Sequence, residues 1–107
     1  MDFENILKEL KDTLLTLVKD TFTDFKTEGK KDMLAFLKSS EEKLKRWTSL
    51  LETGDIAADD FEWLVKSQKD LLIMNSLYQT GISKIKLGHF KNKVIKTVVN
   101  TIFKLIL

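Results

Sequence analysis

Proline is absent from this chain of 107 residues, and glycine occupies only positions 29, 54, 81 and 88. These are the two residues that most readily end a helix, so the chain has few places at which to stop one. The rest is dominated by Leu, Lys, Glu, Asp and Ala, with 32% of residues charged. That composition reads as all-helical. No repeat, low-complexity tract or flexible linker interrupts it. Residues 1–107 are therefore expected to form a single helical domain, large enough to bury a core.

Hydrophobic spacing divides the chain into four helical segments, with the glycines as punctuation. Over residues 2–27, Phe3, Ile6, Leu7, Leu10, Leu14, Leu17, Val18, Phe22 and Phe25 recur every three or four positions on one face. Gly29 is the expected stop. Residues 31–52 carry Met33, Phe36, Leu37, Leu44, Trp47 and Leu51 in one stripe, closed by Thr53 and Gly54. Asp55, Asp59, Asp60 and Glu62 then suit the positive end of a new helix.

The third segment, 59–79, is apolar on more than one side. Phe61, Leu64, Val65, Leu71 and Leu72 lie on one face, while Trp63, Met74 and Leu77 project opposite to Phe61. Such a helix is central in its bundle or has a second partner. The fourth segment, from Leu87 or Phe90 onward, sets Phe90, Val94, Ile95, Val98, Val99, Ile102, Phe103, Leu105 and Ile106 in a wide apolar arc. Lys93, Lys96, Asn100 and Lys104 lie opposite. Before Gly88 the phase breaks, because Lys84 and Lys91 project onto the later apolar side. A turn is expected near Thr80 and Gly81, with a kink at Gly88.

Four helices joined by short loops describe an antiparallel four-helix bundle, up-down-up-down. The alternative is three helices, the third running long and glycine-interrupted over 59–107 and pairing in a dimer.

Charge is unevenly distributed. Residues 80–107 hold six lysines and no acid, a charge of +6; the first 79 residues hold twelve Lys or Arg against sixteen Asp or Glu, a charge of −4. A cationic, apolar terminal helix serves either to dock against an acidic partner or to lie on an anionic membrane. Nucleic acid is not the expected partner, since the chain has one arginine, Arg46, and its acidic body repels phosphate. The N-terminus lacks the basic stretch and apolar core of a signal peptide, and no apolar run is long enough to span a bilayer. A soluble cytoplasmic protein is expected.

Reactive chemistry is scarce. There is no cysteine, so no disulfide, thiolate metal site or cysteine nucleophile is available. The one histidine, His89, has Lys86 three positions before it, which excludes the Glu-x-x-His pattern of di-iron bundles. Neither a calcium loop nor a glycine-rich phosphate loop can be written. Glu41–Glu42 and Asp59–Asp60 are adjacent pairs, which diverge on a helix. No enzymatic activity, cofactor or metal is expected.

The sequence thus points to a non-enzymatic helical interaction module. It is expected to self-associate as a homodimer or bind a protein partner through its third segment and apolar tail. Trp63, Met74, Leu77, Val98, Ile102, Phe103 and Ile106 are the candidate contact residues. In the alternative reading, residues 90–107 bind an anionic membrane surface with Lys93, Lys96 and Lys104. Trp47 is expected in the core, and Tyr78 at the core edge with its hydroxyl in water.

Overall fold

The structure, a computed structural model, describes residues 2–107. All regular structure among them is helical, with no strand. Helix α1 spans Phe3–Thr21, where the Asp2 carboxylate caps it by accepting from the Glu4 amide at 3.0 Å. Ile6, Leu10, Leu14 and Val18 form its buried face.

The helix ends six residues earlier than the apolar spacing predicts. Thr21, Phe22 and Thr23 are poor helix formers, and the Thr23 hydroxyl donates to the Lys19 carbonyl at 3.1 Å. Phe22 leaves the helical region (φ −124°, ψ 64°), and a 3-10 turn over Thr23–Phe25 leads directly into α2, Lys26–Thr53. Gly29 is therefore not a stop. It lies buried inside α2, against Val18, where a Cβ would overlap the valine γ-methyl. At this position glycine lets the two helices of the hairpin approach closely.

Gly54 does end α2 as expected. At φ 82° it adopts the left-handed conformation, and its N–H and that of Asp55 return to the Leu50 and Leu51 carbonyls. Helix α3, Ala58–Lys66, is initiated by Asp60, whose carboxylate accepts from the Ala57 amide at 3.2 Å. This is the helix-starting role expected of the acidic cluster.

The third segment is not one helix. After Lys66 the chain tightens into a 3-10 turn, Ser67–Leu71, passes through three non-helical residues and forms the short α4, Asn75–Tyr78. A turn with Gly81 at φ 94° follows, and Ser83 caps α5, Lys84–Ile106. A continuous helix over 59–107 is thereby overturned, as is an unbroken helix over 59–79. The physical reason lies in the apolar pattern. Phe61 and Val65 point inward from α3, and the break then turns Leu72, Met74 and Leu77 inward in succession. Residues that would sit on opposite sides of a regular helix all reach one core. Helix α5 is continuous through Gly88.

Asp32 of α2 holds the break in place. Its carboxylate is buried and accepts from the Ser76 and Leu77 amides at 3.1 and 2.9 Å, capping α4 from another helix. Met74, at the N-cap position, carries no side-chain oxygen and makes no capping bond itself.

Aromatic pairs tie the ends together. Phe22 meets Phe90 edge-on at 4.8 Å, and Phe61 meets Phe103 at 5.7 Å. The end of α1 thus lies by the start of α5, and the start of α3 by its end. The molecule measures 43 × 23 × 19 Å.

Candidate interaction surface

Most of the contact residues expected from the sequence are absorbed by the chain's own core. Met74, Leu77, Val98 and Ile102 are buried, so they offer no surface. Phe103 and Ile106 are half-buried and pack against the core, as does Trp47. Trp63 alone of the seven stands out, at 69% exposure on α3. Lys93, Lys96 and Lys104 are exposed on the outer side of α5. The seven residues therefore do not form one patch. The apolar face of α5 is occupied too, because Leu87, Phe90, Val94, Ile95, Val98, Val99 and Ile102 are buried.

The exposed apolar residues lie elsewhere, chiefly around the break and the start of α5. Ile73 is 61% exposed, Tyr78 50% and Ile85 77%. Each would lose unfavourable contact with water if covered, by roughly 1.5–3 kcal/mol for a fully buried large side chain. The Lys84 ammonium sits 5.8 Å from the Tyr78 ring centre, a cation–π distance, and so holds the ring against α5.

Between α4 and the first half of α5 runs a groove of about 350 Å³. Met74 and Leu87 form its floor, Ile73, Asn75 and Tyr78 one wall, and Lys84, Gly88 and Lys91 the other. No carboxylate is among these lining residues. A second groove, about 450 Å³, lies between α3 and α5 over Ile95 and Val99. It carries Lys66, Lys69 and Lys96 on its rim but also Glu62, which pairs with Lys66 at 3.7 Å.

Sequence spacing held a trace of the first groove. Lys84 and Lys91 break the apolar phase of the fourth segment, and in the structure they are groove-wall residues. Ile73 carried no such trace, because its exposure depends on the break in the third segment, whereas Tyr78 was expected at the core edge and is half exposed.

The first groove thus brings apolar side chains together with the two lysines Lys84 and Lys91. His89 is exposed on α5, and among the described residues no three His, Asp or Glu side chains converge to hold a metal ion. No helix among them is long and apolar enough to cross a membrane. Comparison with protein-family models, curated proteins and solved structures finds no match to this chain.

Proposed function

We propose that this chain is a non-enzymatic helical interaction module that docks a protein partner on the exposed apolar surface of its third segment and the start of α5. The observation that carries this reading is the break after Lys66, which leaves Ile73 and Tyr78 in water beside Lys84. Exposed large apolar residues next to a partly apolar groove mark interaction sites. The fold belongs to the same proposal. The end-to-end pairing of α1 with α5 and of α3 with α5, and the Asp32 link from α2 to α4, support an up-down-up-down bundle whose third member is broken.

Burial of the α5 apolar face favours a protein partner over insertion of residues 90–107 into a membrane. Insertion would withdraw Phe90, Val94, Val98 and Ile102 from the core, with Phe103, and leave their packing partners, Phe22 and Phe61 among them, facing water, at roughly 1.5–3 kcal/mol for each large side chain uncovered.

A photo-cross-linking amino acid placed at Tyr78 tests the proposal in the living cell, with Lys43 on α2 as the control position. A discrete protein adduct at Tyr78 and not at Lys43 is the expected result. Adducts to lipid, or none at Tyr78, Ile73 or Trp63, would overturn it. A dilution series followed by light scattering reports whether that partner is a second copy.

A further inference from the structure

We propose that the groove between α4 and α5 receives an acidic amphipathic helix from a partner protein, seated against the backbone at Gly88. This rests on the docking reading and names the occupant. The argument begins with Gly88 itself. Glycine weakens a helix interior, and it is normally kept where a positive φ or a crowded neighbour demands it. Neither applies here. Positive φ among the glycines is confined to Gly54 and Gly81, and a Cβ built on Gly88 meets nothing within 4 Å. Gly29, by contrast, is fully explained by Val18. A bare backbone position in open space on a groove wall leaves room for close approach from outside the chain.

The neighbours of Gly88 define what approaches. Lys84, Gly88 and Lys91 stand at i, i+4 and i+7, on one face of α5. Two cations about 10 Å apart along the axis flank the bare position. Met74 and Leu87 below them, with Ile73 and Tyr78 opposite, supply an apolar bed and wall. A helix lying along this groove would set apolar residues at i, i+3 or i+4 and i+7 into the bed. Carboxylates beside those residues would reach the two ammonium groups.

Charge decides between occupants. The groove contains no carboxylate, and residues 71–107 contain none in sequence. Two copies pairing like on like would bring Lys84 and Lys91 of one against those of the other, so a second copy is disfavoured here. A membrane surface is flat, whereas this site is concave, with its apolar floor below the lysines. The α3–α5 groove has its own Glu62 and fits an acidic partner less well.

The test uses the full chain and three probes. These are a synthetic helical peptide with leucines on one face and glutamates on the other, the same peptide with lysines for glutamates, and phosphatidylglycerol vesicles. Binding is followed by fluorescence anisotropy and by flotation. The glutamate peptide is expected to bind and the lysine peptide not. Gly88→Leu should weaken binding at least tenfold without lowering Tm, while Gly88→Ala raises Tm. Lys84→Gln with Lys91→Gln should also weaken it tenfold and flatten its salt dependence, whereas Lys43→Gln leaves it unchanged. Equal binding of both peptides, no binding of either, or vesicle binding that depends on Lys84 and Lys91 would overturn the proposal. So would a folded Gly88→Leu variant that binds as wild type. If such a variant still yields the Tyr78 protein adduct, the occupant is wrong and docking stands. Loss of the adduct in wild type removes the docking reading itself.

Discussion

At the scale of single residues, the few glycines of this chain do not share one role. Gly54 and Gly81 supply left-handed turns, Gly29 supplies closeness between helices, and Gly88 supplies neither. The Gly29 contact is open to direct measurement. Gly29→Ala is expected to lower stability by about 1–3 kcal/mol in urea denaturation, because the new methyl overlaps Val18 in a packed hairpin. In a Val18→Ala background the same substitution should cost nothing or stabilise, since alanine is the better helix former. An equal cost in both backgrounds would mean that the close approach is not what the glycine provides. Sequence alone suggests Gly29 as a stop, because a glycine after an amphipathic run has the same appearance whether it ends a helix or admits a neighbour. The true end of α1 is set by Thr21, Phe22 and Thr23, residues with no strong breaking signal.

At the scale of elements, α1, α2 and α5 follow from periodicity, and the turns at Gly54 and Gly81 from their glycines. The broken third segment does not. An apolar pattern on two sides fits a central helix as well as a chain that turns successive residues inward, and local propensity does not choose. Asp32 favours the break, from 44 and 45 residues before the amides that it holds. Removing it should leave two N–H groups without partners, the Leu77 one buried and the Ser76 one part-buried. Asp32→Ala is therefore expected to cost about 1–3 kcal/mol. Hydrogen exchange at Ser76 and Leu77 should quicken more than at α1 amides such as Leu10 and Leu14. Exchange unchanged at those two positions would show that α4 is held by Leu72, Met74 and Leu77 alone. The groove was legible only in part, through the out-of-phase Lys84 and Lys91, since its other wall follows from the break in the third segment.

For the whole molecule, the charge asymmetry of the sequence hides a simpler division. The lysine-rich tail is a full member of the core along one face and a cationic surface along the other. Two substitutions on α5 separate these roles. Val98→Asp places a charge where no water reaches and should cost more than about 4 kcal/mol, enough to unfold most of the population by circular dichroism. Ile85→Asp, on a residue 77% exposed, should shift stability by less than about 0.5 kcal/mol. Similar effects from both would mean that α5 is turned differently about its axis. The result expected from Val98→Asp also bears on the tail as a membrane anchor, because a helix that could leave the bundle freely would tolerate the charge.

The Asp32 clasp has a consequence for how the module would change over time. Four residues are too few to hold a helix in water, so α4 borrows its shape from α2. A substitution at position 32, far away in sequence and hidden from solvent, would therefore reshape the wall that carries Ile73 and Tyr78. On the docking proposal, the specificity of this surface would be stored at a site no partner touches, and new partners would be acquired by altering the buried carboxylate while every exposed residue stayed the same.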